Sequence, residues 1–197
     1  MSEIAQIIAA IGTVIVAALA IWGDKVRSIV AGPKIRIRLR EARGNLTTRA
    51  NGTRTVYYHI AVTNARTWSP ARNLIVRLIK IETMAADRRF QPERLVHSLQ
   101  FTWANPQFHE ISPTVTSSDM CDFGFIDEGS EGFVPSMYAM PNDFEGIVQA
   151  EETRRFTIDA TADNYHSKTP LVLEVAWDGT WTADTEQLMR HLVIREI

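Results

Sequence analysis

An uncharged run near the start of the chain is the feature that most constrains its fold. The 19 residues from Ile4 to Trp22 include only two polar side chains, those of Gln6 and Thr13. A helix over this run would be about 28 Å long, close to the hydrocarbon thickness of a bilayer. A core helix of this length would normally have a polar face, and a cleaved signal peptide would carry positive charge before the run. The run therefore predicts an N-terminal transmembrane helix, with these two alternatives left open.

Positive charge follows the run directly. Lys25, Arg27 and Lys34 are the first cations after it, and Trp22 would lie where the helix meets the headgroups. These four residues are expected to interact with the membrane. The positive-inside rule places the N-terminus outside and the C-terminal domain in the cytoplasm, as a single-pass protein of the inner membrane. The single cysteine, Cys121, agrees with a reducing compartment.

Small residues recur along one face of the predicted helix. Such rows let helix backbones approach closely in lipid, where no hydrophobic force drives association. We expect helix association, and hence a homo-oligomer, through Ala5, Ala9, Gly12, Thr13 and Ala17. The alternative is that these residues reflect only the composition of an apolar helix.

The dipeptide Gly32 and Pro33 marks the best domain boundary. Glycine permits a left-handed helix cap, and proline cannot continue the helix. The sequence therefore predicts a membrane helix with a short extension over residues 1–33 and one cytosolic domain over residues 34–197.

Beyond residue 34 the apolar residues recur with a period of two, which is typical of strands. Ile35, Ile37 and Leu39 alternate with three arginines. Further segments with strand character are 55–64, 73–82, 95–103, 144–149, 154–161, 171–177 and 188–196. Turn-forming residues such as Asn51 and Gly52 separate them. The predicted fold class is mainly β, with one antiparallel β-sandwich after the helix.

One segment resembles a pattern found in bacterial immunoglobulin-like modules. The matching positions are Val62, Asn64, Pro70, Ala71 and Asn73. The segment covers residues 57–81, and the chain as a whole resembles bacterial single-span membrane proteins with such a domain. The resemblance implies an immunoglobulin-like sandwich used for adhesion, docking or ligand recognition, and it brings no catalytic residue. Residues 82–152 do not match the pattern and are interpreted as an insertion.

Charge is distributed unevenly along the chain. Residues 25–54 contain nine Lys or Arg and one acid, whereas residues 119–197 contain five Lys or Arg and sixteen acids. Anionic headgroups would attract each juxtamembrane cation by about 1 kcal/mol. The alternative is that Arg36, Arg38 and Arg40 form the wet face of one strand. No aromatic residues interleave with these cations, which argues against nucleic acid as a partner.

Catalytic and metal-binding motifs are absent from the sequence. It has no phosphate-binding loop, no zinc-protease motif, no nucleophile elbow and no paired C-x-x-C. Cys121 lies between Asp119 and Asp122, which disfavours a thiolate. The acidic residues from 119 to 131 lack the spacing of a calcium loop. We therefore expect no enzyme activity, no metal and no cofactor.

Two tryptophans flank a tight turn near the C-terminus. Trp177, Asp178 and Trp181 belong to the sequence WDGTW, and Asp163 and Asn164 precede it. This group is a candidate ligand or partner site, because two indoles could clamp a flat group. The alternative is a hairpin in which the tryptophans pack against the domain.

Two functional hypotheses follow. In the first, the chain is a membrane-anchored, non-enzymatic effector, similar in architecture to effectors of bacterial antiviral defence. A ligand or partner signal, from a protein or a small molecule, would reach the sandwich, and the transmembrane helix would self-associate and perturb the membrane. In the second, the chain is a membrane-tethered scaffold or docking module without membrane activity of its own.

Overall fold

Strands make up most of the described chain. The computed structural model describes residues 4–8, 10–17, 31–104 and 111–197. Helix α1 covers residues 4–17 with residue 9 left out, and helix α2 is Thr185–His191. Within the described ranges the strands are β1 (Ile35–Leu39), β2 (Asn45–Thr48), β3 (Arg54–Asn64), β4 (Ile75–Met84), β5 (Phe90–Pro92), β6 (Leu99–Gln100), β7 (Ser118–Asp127), β8 (Gly132–Pro135), β9 (Val148–Gln149), β10 (Glu152–Ala162), β11 (Tyr165–His166), β12 (Leu171–Trp177) and β13 (Leu192–Glu196).

The strands form two antiparallel sheets. Sheet I has the order β1-β3-β7-β8-β9, with β2 also paired to β3. Sheet II has the order β13-β12-β10-β4-β5, with β6 paired to β4 and β11 paired to β10. The prediction of a mainly β, antiparallel sandwich is confirmed.

Alternating apolar residues build one core between the sheets. On β3, Tyr58 and Ile60 are fully buried, as period-two alternation requires. Phe123 of β7 packs edge-on against Phe156 of β10, with ring centroids 5.6 Å apart, and thereby joins sheet I to sheet II. The buried apolar residues of both sheets belong to a single cluster.

Residues 82–152 are part of the sandwich and not an insertion. They contribute β7, which pairs with β3 from Thr55 to Thr63 and so occupies the middle of sheet I. The sequence of β7, SDMCDFGFID, does not show a clean alternation. The reason is a shift in its pairing with β3, which lies opposite Tyr58 and His59 of β3. Acidic residues on the outer face of β7 also gave the segment the composition of a loop.

The last predicted strand, 188–196, begins as a helix. The side chain of Asp184 accepts hydrogen bonds from the backbone N–H groups of Glu186 and Gln187, which caps α2. Leu188 is a buried residue of this helix, and β13 starts only at Leu192. A local cap therefore overrides the alternating pattern in the first half of the segment.

The prediction of a transmembrane helix is wrong for the described residues. The described part of helix α1, residues 4–8 and 10–17, is shorter than the roughly 20 residues that a membrane-crossing helix needs. Among the residues with a described structure, no helix combines the length and the apolar character needed to cross a bilayer. Trp22, Lys25 and Arg27 lie outside the described residues, so their membrane contacts stay predictions.

Candidate functional site

A groove lies beside β1. It has a volume of about 790 Å³ and lies between β1, the segment from β11 to the start of β12, and the end of β13. Its size is in the usual range of ligand sites. We call it the β1 groove, and the residues used below are Lys34, Ile35, Arg36, Ile37, Arg38, Arg66, Tyr165, His166, Lys168, Leu171 and Glu196.

Strand β1 is an edge strand that pairs on one side only. The N–H of Arg40 donates to the carbonyl of His59 at 2.9 Å, and the carbonyl of Lys34 accepts from the N–H of Ala65 at 2.9 Å. Even-numbered residues therefore direct their backbone groups to β3. In an antiparallel pair, the backbone groups of the alternate residues point to the opposite edge.

That opposite edge faces the β1 groove. The N–H of Leu39 donates to Oε1 of Glu196 at 2.6 Å, and the carbonyl of Ile35 accepts from the Tyr165 hydroxyl at 3.1 Å. Ile37 lies between these two contacts and directs its own N–H and carbonyl the same way. Across the described ranges, no strand pairs with this edge. An edge of this kind is a template for an added strand.

The rim of the groove is cationic. Lys34, Arg36 and Arg38 are exposed on β1, and Lys168 is exposed on the opposite wall. In the part of the chain that the structure describes, none of these four forms an ion pair. Arg66 also lines the groove, where its guanidinium donates to the carbonyl of Gly32 at 3.0 Å.

One carboxylate opposes the cations. Among the groove residues, five are Lys or Arg and only Glu196 is acidic. Its carboxylate already accepts the backbone N–H of Leu39. The potential of the groove therefore favours anionic ligands.

The floor of the groove is apolar. Ile35 is 6% exposed and Leu171 is 8% exposed, and Ile37 packs against the core from a partly buried position. Apolar floor and charged rim follow from one alternation, because odd residues of β1 face the core and even residues face solvent. A ligand could satisfy both surfaces only if it were itself alternately apolar and acidic.

The buried side chain of Asn64 holds the start of β1 in place. Its Oδ1 accepts the backbone N–H groups of Lys34 and Arg66 at 3.1 and 3.0 Å. Its Nδ2 donates to the carbonyl of Ser69 at 2.8 Å. This asparagine belongs to the segment that resembles immunoglobulin-like modules. It fixes two cationic residues of the groove through their backbone.

The tryptophan site expected from the sequence is mostly packed. Trp177 is 3% exposed and belongs to the core, and Trp181 is partly buried against the same core. The Arg54 guanidinium lies over the Trp181 ring, 5.0 Å from its centroid. Asp178 bonds Nδ1 of His191 at 2.7 Å, and this hydrogen bond lowers the pKa of the Asp178 carboxyl.

Asp163 and Asn164 are not brought together with the tryptophans. Trp177 pairs with Glu152 at the first residue of β10, whereas Asp163 follows the last residue of that strand. Ten steps along a strand correspond to about 33 Å. The carboxylate of Asp163 instead accepts a hydrogen bond from Asn73 at 2.7 Å. The five residues therefore do not form one site, and their roles in binding stay predictions.

The small residues predicted for helix association lie on exposed helix. Ala5, Gly12, Thr13 and Ala17 are exposed in α1, and Ala9 is outside the described residues. A Cβ atom built on Gly12 would meet no atom within 4 Å. Their role in self-association stays a prediction.

Cys121 does not have the environment of a nucleophile. Its side chain is fully buried, and burial, followed by the charges of Asp119 and Asp122, raises the pKa of the thiol. Over the described ranges, no group of three or more His, Cys, Asp or Glu residues could hold a metal ion.

Sequence reasoning missed the groove as a site. It noted Arg36 and Arg38 but considered them only as membrane contacts or as a solvated strand face. Two residues proposed from the sequence, Lys34 and Asn164, do line the groove, and Tyr165 follows Asn164 directly. Lys168 gave no signal, because its position opposite β1 follows only from the tertiary fold.

Comparison of the chain with protein-family models, with curated proteins and with solved structures finds no significant match. We therefore infer function from the β1 groove and from helix α1.

Proposed function

We propose that this chain is a non-enzymatic docking module whose β1 groove binds an anionic partner. The observation that carries the proposal is the juxtaposition of five cationic residues and one acidic residue around a groove with an unpaired backbone edge. This is the second hypothesis from the sequence, the scaffold, with its binding surface now specified.

The sandwich is proposed to be immunoglobulin-like. Strands β3 and β4 are consecutive long strands in different sheets, and β7 and β10 later pair with them in turn. In immunoglobulin domains, strands B and C likewise follow one another in different sheets, and E later pairs with B while F pairs with C. This shared pairing of β3 with β7 and of β4 with β10 supports the proposal. Strand β8 departs from it, since it follows β7 in the chain where the immunoglobulin D strand precedes E.

We further propose that helix α1 holds the module at a lipid surface. Its apolar side chains are exposed, with Ile4 at 69% and Val16 at 67%. Exposed apolar surface of this extent marks an interaction site. Insertion into one side of a bilayer would cover it without requiring the helix to cross, and the cations of β1 would add attraction to anionic lipids. The inner membrane is the proposed location.

The effector hypothesis stays a prediction, and it requires that copies of the chain assemble. Self-association through α1 is retained as a proposal, because the same exposed surface could be covered by other copies.

Charge neutralisation tests the groove. Replacing Arg36→Gln and Arg38→Gln together should weaken binding of a fluorescent polyglutamate peptide about tenfold, since each exposed cation contributes about 0.7 kcal/mol. Fluorescence anisotropy at low and at physiological salt would measure it, and salt should weaken binding to the parent chain more than to the variant.

The matched control neutralises two exposed arginines away from the groove. Arg94→Gln with Arg190→Gln removes the same charge from the whole molecule but none from the groove. Equal weakening by both pairs would mean that overall charge, and not the β1 groove, binds the anion.

Vesicle flotation tests the attachment. The full chain should float with vesicles of phosphatidylcholine and phosphatidylglycerol, and Ile8→Asp with Ile15→Asp should leave it unbound, because two carboxylates in the lipid core are costly. The control is Val96→Asp with Ile111→Asp, which places the same charges on two exposed apolar residues of the sandwich. If the α1 variant still floats, lipid attachment through α1 is refuted.

A further inference from the structure

The open edge of β1 specifies what kind of anion the groove accepts. Resting on the proposed docking function, we propose that the β1 groove binds an acidic peptide in extended conformation, which adds a strand to sheet I beside β1. A free phosphate or a nucleic acid could use the cations and accept a backbone N–H, but only an extended peptide offers the alternating donors and acceptors that pair with both the N–H and the carbonyl groups of the edge.

The backbone of β1 sets the register of the added strand. Ile35, Ile37 and Leu39 direct their N–H and carbonyl groups to the groove, as the contacts to Tyr165 and Glu196 establish. A peptide strand would bond to these alternate residues, as in known cases of strand addition.

The side chains on either side of that edge set the composition of the peptide. Neighbouring strands place side chains from the same face next to one another. One face of the added strand would contact Arg36 and Arg38, and we expect acidic residues there. The other face would lie on the apolar floor with Ile37 and Leu171, and we expect branched apolar residues there.

A carboxylate oxygen of Glu196 occupies the place of one backbone carbonyl of the added strand. It comes from β13, on sheet II, and reaches across to the Leu39 N–H at 2.6 Å. An incoming strand would need that N–H, so Glu196 competes with the ligand. Removing its side chain should strengthen peptide binding.

Three capped peptides separate backbone pairing from charge. The first peptide alternates Glu and Val over seven residues. The second has Gln in place of each Glu. The third has the sequence of the first, with N-methyl groups on the amides that would face β1. The full-length chain should bind the first peptide at least tenfold more tightly than the other two, by anisotropy. Hydrogen exchange at the amides of Ile37 and Leu39 should slow on binding.

Variants of the protein give the matching result. Glu196→Ala should bind the Glu-Val peptide several-fold more tightly, whereas Glu186→Ala, an exposed carboxylate outside the groove, should leave the affinity unchanged. Ile37→Pro removes the central N–H, which does not pair with β3, and should weaken binding tenfold. If that variant does not fold, the N-methylated peptide tests pairing at the same edge on the unmodified chain, through the bonds from the peptide N–H groups to the carbonyls of β1.

Each contrary result has a distinct meaning. Equal affinity for the Glu-Val peptide and its N-methylated form would overturn strand addition and leave the anionic groove standing. Tighter binding of an oligothymidylate than of the Glu-Val peptide would overturn the choice of a peptide. Failure of the polyglutamate, the Glu-Val peptide and the oligothymidylate to bind would refute the proposed docking function itself.

Discussion

Single polar side chains set the positions of whole segments in this fold. Asn64 is 1% exposed and bonds the backbone at both Lys34 and Arg66. A buried amide is stable only when its hydrogen bonds are made, so this residue ties the start of β1 to the loop after β3. The sequence motif that drew attention to Asn64 indicated its importance. The identity of its partners came from the structure.

The Asp178 and His191 pair should make stability depend on pH. The hydrogen bond from His191 holds the pKa of Asp178 below the ordinary aspartate value of about 3.9. Because the pKa of Asp178 is lower in the folded state than in the unfolded state, the ionised carboxylate stabilises the protein above the unfolded-state pKa. This contribution is lost as pH falls through the folded-state pKa. Asp178→Asn should therefore lower the thermal midpoint at about pH 5 to 7 and have less effect below pH 3.

The control for this pair is Asp143→Asn, an exposed carboxylate without an ion pair in the described ranges. A calorimetric pH series on both variants makes the comparison. An effect of Asp178→Asn that is the same at every pH would contradict the proposed origin of the stabilisation.

Among the elements, β7 and α1 were the hardest to predict. The alternation of β7 is broken by a register shift against β3, so no window of its sequence has a clean period of two. Helix α1 lies in an unbroken apolar run, from which hydropathy predicted a membrane span that the described residues do not form. Strands β1, β3, β10 and β12 overlap the predicted segments, with ends that differ by two residues at most.

Strand β7 needs a glycine where it meets β8. A Cβ atom at Gly124 would lie 2.7 Å from the carbonyl oxygen of Val134 and would also overlap the Phe133 ring. Gly124→Ala should lower the free energy of unfolding by about 1–3 kcal/mol, because a backbone atom of β8 would have to move. Urea denaturation would measure it.

The control is Gly12→Ala on helix α1. A Cβ atom there meets nothing within 4 Å, and alanine favours helix more than glycine does. Its unfolding transition should match that of the parent chain. A Gly124→Ala variant as stable as the parent would mean that β7 and β8 can separate without cost.

At the scale of the whole molecule, the two sheets should unfold together. Ile60 of sheet I and Leu173 of sheet II belong to one buried cluster. Ile60→Ala and Leu173→Ala should each cost about 2–5 kcal/mol and shift one common transition. Tryptophan fluorescence and far-ultraviolet circular dichroism should give the same unfolding midpoint. The control is Val193→Ala, at a 40% exposed position, which should change that midpoint little. Separate midpoints for the two probes would contradict a single cooperative core.

The candidate site also belongs to this scale. Its cations come from β1, from the loop after β3 and from the segment between β11 and β12, which lie more than 130 residues apart along the chain at their extremes. The net charge of −2 conceals this cationic groove, because the acids of the second half other than Glu196 do not line it.

The sequence by itself determined the class of the fold and the direction of each alternating side chain. It could do so because a strand places neighbouring residues on opposite faces wherever it lies. Only the tertiary structure decided which strand edge stays unpaired and which charges converge on it. Those outcomes depend on contacts between residues distant in the chain, and local periodicity carries no record of them.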